Sequence, residues 1–204
     1  MDIGAFIGEW TTLFQIIFPD TPVLMIEAQE DKRLPLMKVV EAAPEKRFLE
    51  IALLGAIDGR AVEFHQMASG SSVFGEQGHV PRTIITKTSR TLDSVVAAHA
   101  GFAEGSDFIK LDVQGCELEI LKGASRILPQ CQVVLMEASL LPVNSGCPLI
   151  HEVMIFMDEM GFRLIDFCSL LRRKDGISWQ TDLLFLRKTS PYLPKPELSP
   201  ENWF

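Results

Sequence analysis

An α/β domain on a mostly parallel sheet is the fold class this sequence predicts. Short apolar runs of strand length alternate with stretches whose apolar residues recur at helical spacing. Several of those runs end in an acid, at Glu27, Asp112 and Glu137, and no internal repeat interrupts the alternation.

The chain opens on Met1-Asp2-Ile3, the last residues of a strand whose body is nearly absent, and turns at once through Gly4-Ala5-Phe6-Ile7-Gly8. From Glu9 onward, Trp10, Leu13, Phe14 and Ile17 fall at helical spacing until Phe18-Pro19-Asp20 stops the helix. Pro22-Val23-Leu24-Met25-Ile26 reads as a buried strand ending at Glu27, and a helix over 34–43 tolerates Pro35 in its first turn. Phe48-Leu49-Glu50-Ile51-Ala52-Leu53-Leu54 is the next strand, and Asp58-Gly59 turns the chain into an extended 61–65. A Gly- and Ser-rich loop fills 66–80.

Thr83-Ile84-Ile85-Thr86 is β-branched and extended, and Asp93-Ser94-Val95-Val96 starts a short helix ending at Gly101. Phe108-Ile109-Lys110-Leu111-Asp112 is a strand whose end carries an acid. Ile120, Leu121, Ala124, Ile127 and Leu128 share one face of the following helix, which Pro129 ends. Gln132-Val133-Val134-Leu135-Met136-Glu137 is another apolar strand. A helix over 149–160 turns Val153, Phe156, Met157 and Met160 inward and is capped by Gly161. Segments 162–167 and 183–187 form a closing pair of strands joined through Lys174-Asp175-Gly176. Pro191, Pro194, Pro196 and Pro200 exclude regular structure, giving a domain over 1–190 and an extended tail over 191–204.

Composition bounds the function. With 204 residues, 47% hydrophobic and 23% charged, the chain has enough apolar material for one core and too little charge for disorder. A formal charge of -8 argues against a broad basic face, so no nucleic-acid partner is expected. Cys116, Cys131, Cys147 and Cys168 lie far apart with no metal-ligand spacing, so no metal is expected and the thiols read as reduced in a cytoplasmic protein. No apolar stretch reaches the roughly 18 to 20 residues of a spanning helix.

Two constellations carry chemistry. In the first, Asp2, Gly4 and Gly8 lead from a strand end into a helix, and Glu27 follows at the end of the next strand. Glycines let the backbone approach a ligand, and an acid so placed can accept both ribose hydroxyls. The spacing is GxxxG rather than the GxGxxG that seats a pyrophosphate, which suits a nucleoside ligand with a positive group and no phosphates, such as S-adenosylmethionine. A tight strand-to-helix turn without a ligand is the alternative. In the second, Asp112 closes an apolar strand at the sheet edge where open α/β folds bind ligands, Gly115 turns the chain, and Glu117 and Glu119 complement the dipole of the next helix.

These residues resemble the FkbM family of S-adenosylmethionine-dependent methyltransferases. The resemblance runs through Asp2-Ile3-Gly4-Ala5-Phe6-Ile7-Gly8-Glu9-Trp10-Thr11, Glu27, Thr91-Leu92-Asp93 and Ile109-Lys110-Leu111-Asp112-Val113-Gln114-Gly115-Cys116-Glu117, with Leu121-Lys122-Gly123-Ala124 and Asp182-Leu183-Leu184-Phe185. It implies a Rossmann-like class I methyltransferase fold. That fold has a mostly parallel seven-stranded sheet with a reversed final strand, here with a truncated first strand. It further implies S-adenosylmethionine as methyl donor and a hydroxyl of a small molecule, sugar or glycan as acceptor. Phe6 stands where the family usually has Asn.

Carried over residue by residue, Gly4, Ala5 and Gly8 line the methionine and ribose, Asp2 steers the ammonium group or orders the loop, and Glu27 holds the ribose. Asp112 is the candidate base for the acceptor's proton and a carboxylate toward the sulfonium. Ser71 and Ser72 are candidate substrate contacts, and Glu137 either faces the acceptor or braces a helix N-terminus. His65, His79, His99 and His151 are alternative bases, each at a place that also suits a solvated or capping histidine. Trp203 and Phe204 either dock or end an unanchored tail. The competing function is a binding module with a degenerate cofactor loop and no turnover. A nicotinamide-dependent reductase is disfavoured, because the only tyrosine is Tyr192 in the tail. A central strand without its upstream flank leaves apolar surface that a second copy of the chain would cover, making a homo-oligomer an expectation.

Overall fold

The computed structural model describes residues 1–67, 70–75 and 81–193. In chain order the elements are β1 (Asp2–Ile3), α1 (Glu9–Ile17), β2 (Val23–Glu27), α2 (Arg33–Glu41), β3 (Arg47–Ile51), β4 (Leu53–Leu54), β5 (Ala61–Gln66), β6 (Thr83–Arg90) and α3 (Leu92–Ala97). There follow β7 (Phe108–Leu111), α4 (Glu117–Lys122), β8 (Val133–Ser139), α5 (Ile150–Glu159), β9 (Phe162–Phe167), β10 (Leu171–Arg172) and β11 (Ser178–Arg187).

The main sheet runs β3-β2-β1-β7-β8-β11, with β9 and the two-residue β10 both paired to β11. From β3 to β8 every pairing is parallel, and β11 lies antiparallel to β8 and to β9. A mostly parallel sheet with a reversed final strand, as expected, is what these pairings build. Although β1 has two residues, it is paired on both sides, Asp2 with Met25 and Lys110, and Ile3 with Ile26 and Leu111. One face packs Ile3, Ile26, Ile109 and Met136 against Val95, Ile120 and Met157 of the helices. The opposite face buries Val23 and Met25 against Ala5 and Leu36.

Helix α1 packs Trp10 and Phe14 on Phe108 of β7, yet its buried positions are polar. Thr11 and Gln15 are its buried positions, while Leu13, Ile16 and Ile17 remain 59%, 74% and 64% exposed. The buried pair is held by specific bonds: Thr11 Oγ1 donates to Asp2, Gln15 Nε2 donates to the Thr21 carbonyl, and Arg47 Nε donates to Gln15 Oε1.

Several expected elements change. The single strand over 48–54 divides at Ala52, whose N–H donates to the Glu27 carbonyl, and β4 leaves for a separate three-stranded sheet ordered β4-β6-β5. Strand β6 runs to Arg90, four residues beyond the expected Thr86, because antiparallel pairing with β5 carries it to Thr88 and parallel pairing with β4 takes in Ser89 and Arg90. Helix α3 starts under the Thr91 cap, whose hydroxyl accepts from Ser94 N, and ends at Ala97 rather than Gly101. The helix expected up to Pro129 ends at Lys122. Gly123 approaches the Gly55 carbonyl so closely that a Cβ would lie 2.3 Å from it. Beyond it, the Asp93 carboxylate accepts from the N–H groups of Arg126 and Ile127, which fixes a turn where helix was expected. Ala124, Ile127 and Leu128 are buried all the same. In α5, Val153 and Met157 face the core, but Met160 lies past the last turn and is 40% exposed.

Between β9 and β11, the turn at 174–176 is the tip of a β10–β11 hairpin. Of the proline-rich tail, Pro191 to Leu193 form a turn, while Trp203, Phe204 and the rest of 194–204 lie outside the described residues. No helix among the described residues is long and apolar enough to cross a membrane.

Because both the Gly123 backbone and the Gly55 carbonyl are fixed, Gly123→Ala is expected to cost about 1–3 kcal/mol through overpacking. A melting temperature lower by about 2–4 °C for each kcal/mol, measured by circular dichroism, checks it; an unchanged midpoint would contradict the contact.

Candidate functional site

A cavity of about 230 Å³ opens at the carboxyl ends of β1, β2, β4 and β7. Parallel strands leave their terminal N–H and C=O groups and their connecting loops at this edge, so polar ligands are met there. Gly4, Phe6, Glu27, Leu54, Ser72 and Asp112 are among the lining residues, and no Lys, Arg or His is, among the described residues.

Gly4 makes the floor possible. Its φ is +77°, and a Cβ would sit 1.9 Å from the Asp112 carbonyl oxygen, so the loop after β1 touches the end of β7. Gly8, at φ +82°, begins α1 and packs against Val39 and Leu36, while Ala5 is buried on the same face; neither lines the cavity. Phe6 occupies the left-handed region at φ +51°, uncommon for an aromatic residue, and its ring lies 4.6 Å from Lys32 Nζ.

Glu27 lies at the second wall. Its Oε2 accepts from Phe6 N at 2.8 Å and its Oε1 from Gln29 N at 2.9 Å, so this one carboxylate fixes the loop above β1 and the turn after β2. Burial raises its pKa, opposed by those backbone donors. Each oxygen keeps a lone pair for a ligand hydroxyl.

Asp2 sits beneath the loop, fully buried and outside the cavity lining. Its Oδ2 accepts from Thr11 Oγ1 at 2.7 Å, and its Oδ1 lies 3.3 Å from Lys110 Nζ. Lys110 also donates to the Gly4 carbonyl at 3.1 Å and lies 3.6 Å from Asp112 Oδ2. Burial alone would pull the Lys110 pKa down, but Asp2 and Asp112 outweigh it and hold the ammonium above its ordinary value. Of the roles foreseen for Asp2, the geometry matches ordering the loop.

Asp112 faces the cavity with its side chain 43% exposed, and its Oδ1 accepts from Gln114 Nε2 at 3.0 Å. The same Gln114 amide donates to Glu137 Oε1 at 3.0 Å, which also accepts from Gln180 Nε2 at 2.6 Å. Burial, reinforced by Asp112, Glu117 and Asp182, pushes Glu137 up to about 9. Glu137 is therefore a neutral acid behind Asp112, outside the cavity lining. Glu117 accepts from Val113 N at 3.0 Å and Gly115 N at 3.2 Å, bracing the turn before α4, and burial pushes it up to about 7.

Ser71 and Ser72 both line the cavity; Ser72 Oγ donates to the Gln114 carbonyl at 2.7 Å. None of the described histidines does: His65 pairs with Ser72 through backbone bonds, His99 contacts Glu50, and His151 is exposed. His79 and part of the loop over 66–80 lie outside the described residues.

Sequence reasoning missed Lys110 and Gln114. Lys110 had a signal, a cation in the middle of an apolar parallel strand, which is almost never buried without partners. Gln114 had none, because its importance comes from a φ of +57° and from two acids that meet only in the fold.

The cavity fits S-adenosylmethionine. Glu27 offers acceptors suited to a ribose diol, Leu53 and Leu54 give an apolar wall for a base, Gly4 leaves backbone room, and Asp112 presents a half-exposed carboxylate whose Lys110 partner lies outside the lining.

Comparison with known proteins agrees with this reading. The profile of the methyltransferase FkbM domain matches residues 2–164. Among solved structures, the chain is similar to a provisionally assigned RNA methyltransferase from Pyrococcus horikoshii, at 11% identity and a TM-score of 0.51, covering 93% of this chain and 73% of that one. It is similar as well to magnesium protoporphyrin IX methyltransferase from Synechocystis PCC 6803 with bound S-adenosylmethionine, at 8% identity and a TM-score of 0.50, covering 91% and 68%. A provisionally assigned tRNA (m1A22) methyltransferase from Streptococcus pneumoniae matches at 15% identity and a TM-score of 0.49, covering 98% of this chain and 65% of that one. The chain thus spans about two-thirds of the length of that protein. No curated protein matches it by sequence.

The state of Glu137 gives a stability prediction. Folding raises its pKa from the ordinary 4.5 to about 9, so the folded state takes up a proton that the unfolded chain lacks at neutral pH. That contribution is most favourable below the unfolded value, declines as pH rises toward the folded value, and is level beyond it. Glu137→Gln, which stays neutral, is expected to melt several degrees above the parent at about pH 8 and with it at about pH 4. A difference independent of pH would contradict the assignment.

Proposed function

The chain belongs to the FkbM methyltransferase family, and on that premise we propose that this S-adenosylmethionine-dependent methyltransferase methylates a hydroxyl of a small molecule, sugar or glycan. The observation that carries the reading is the pairing of Glu27 and Asp112 across one cavity, with Gly4 between them and no cation in the lining among the described residues.

In this reading Glu27 accepts from the ribose hydroxyls with the lone pairs left by Phe6 and Gln29. Leu53 and Leu54 pack against the base. Asp2 and Lys110 do not touch the ligand; they hold the Gly4 carbonyl and the Asp112 carboxylate in place from below. When bound, S-adenosylmethionine supplies an electrophilic methyl group on a sulfonium, and its displacement is in line, so orientation and exclusion of water count for more than covalent help. Asp112 faces the sulfonium side and accepts the proton of the acceptor hydroxyl as the oxygen forms its bond to the methyl carbon. Ser71 and Ser72, on the loop that forms the outer wall, contact the acceptor. Glu137 acts from behind, tied to Asp112 through the Gln114 amide that bonds both acids.

A second reading, a binding module without turnover, rests on Phe6, an aromatic ring at a left-handed position of the cofactor loop where the family usually has Asn.

Calorimetric titration of S-adenosylmethionine and S-adenosylhomocysteine tests the assignment. Glu27→Ala is expected to weaken both about tenfold to a hundredfold, as loss of charged hydrogen bonds does. Equal binding by parent and variant would refute the ribose role. Binding without transfer of a labelled methyl group to any hydroxyl acceptor would favour the second reading.

A further inference from the structure

Gln114 is the non-glycine residue of the cavity, besides Phe6, whose backbone is held in the left-handed region, at φ +57°. Strain of this kind persists only where surrounding contacts over-determine it. Here both ends of the residue are committed. Its carbonyl accepts from Ser72 Oγ at 2.7 Å and from Asn144 Nδ2 at 3.0 Å, donors from two different loops. Its side-chain amide spends both hydrogens on acids, one on Asp112 Oδ1 and one on Glu137 Oε1, each at 3.0 Å. The two loops also hold each other, since Ser145 N donates to the Gly75 carbonyl at 2.9 Å. Asn144 is 7% exposed and lies outside the cavity lining.

We propose that Gln114 is a positioning residue that couples the loops over 70–75 and 140–148 to the orientation of the Asp112 carboxylate. The preference of the site for a sulfonium ligand then depends on how those loops are seated. The inference rests on the reading of this cavity as the S-adenosylmethionine site. Its physical content is a single rigid path: a loop donor fixes the Gln114 carbonyl, the fixed peptide fixes the side chain, and the amide turns Asp112 toward the ligand. When either loop moves to admit an acceptor, the carbonyl loses a donor and the amide is free to rotate. Asp112 then presents its charge less well to the sulfonium. S-adenosylhomocysteine has no such charge and is insensitive to that step.

The test compares the two ligands by calorimetry on the whole chain carrying Asn144→Ala, Asp112→Asn or both. Asn144→Ala is expected to weaken S-adenosylmethionine about five- to tenfold, the worth of one hydrogen bond, and S-adenosylhomocysteine by no more than about twofold. In the Asp112→Asn background the Asn144 effect is expected to vanish, because the two act through one path. Equal weakening of both ligands, or the same Asn144 effect with and without the Asp112 charge, would make Asn144 merely structural and overturn the proposal. Should Asn144→Ala not fold, Gln114→Gly, which suits the left-handed backbone, must give the same sulfonium-selective loss; failure to do so overturns it equally. Absence of binding by the unaltered chain removes the cofactor reading itself, and this inference with it, whereas binding that Asn144→Ala leaves unchanged refutes the coupling alone.

Discussion

The buried ammonium of Lys110 is the contact on which the rest of the site depends. Three oxygens converge on it from three places in the chain: the Asp2 carboxylate on β1, the Gly4 carbonyl on the loop, and the Asp112 carboxylate beyond β7. Without the cation, two carboxylates would face each other across adjacent strands with nothing to offset their repulsion and desolvation. With it, the carboxyl edge of β1 and the carboxyl edge of β7 become one surface, and Gly4 can approach the Asp112 backbone to a distance no side chain allows. Charge and close packing thus support one another at the centre of the sheet.

From that centre, polar contacts run outward in two directions. Toward β2, Glu27 gathers the N–H groups of Phe6 and Gln29, so one acid shapes both loops that would enclose a nucleoside. Toward β8 and β11, Gln114 and Gln180 distribute their amide hydrogens over Asp112 and Glu137. The surroundings of the two carboxyl groups differ: Asp112 meets solvent and a lysine, whereas Glu137 is buried among other acids, which raises its pKa.

Much of this was legible in the sequence. Apolar runs ending in Glu27 and Asp112 located two strand ends at one sheet edge, whereas pairing with β11 carries β8 two residues past Glu137 to Ser139; the Gly4 loop marked where a backbone must turn with positive φ. What could not be read is equally specific. Periodicity carried the helix after Asp112 too far, because Ala124, Ile127 and Leu128 are buried for reasons of packing, not helix; the Gly123 contact with Gly55 and the Asp93 carboxylate decide the turn, and both partners are distant in sequence. The strand over 48–54 looked continuous because its apolar character is continuous, yet pairing with β6 takes Leu53 and Leu54 out of the main sheet. In α1 the hydrophobic spacing was real only in part: Trp10 and Phe14 pack on Phe108 of β7, but the two most buried positions, Thr11 and Gln15, are polar because Asp2 and Arg47 need partners there.

The departure of β4 from the main sheet divides the cavity between two builders. Strands of the main sheet supply Gly4, Glu27 and Asp112, whereas the antiparallel arm of β5 and β6 supplies the wall with Ser71 and Ser72. An arm of this kind can lengthen, shorten or change composition at its tip without altering any pairing in the parallel sheet. A change at the tip of the arm would therefore leave the parallel-sheet half of the cavity in place. In the proposed reading, the outer wall could change what it accepts while the parallel-sheet half of the cavity stays as it was, provided that the contacts joining the two, such as the Ser72 bond to Gln114 and the Arg90 pair with Glu50, are kept.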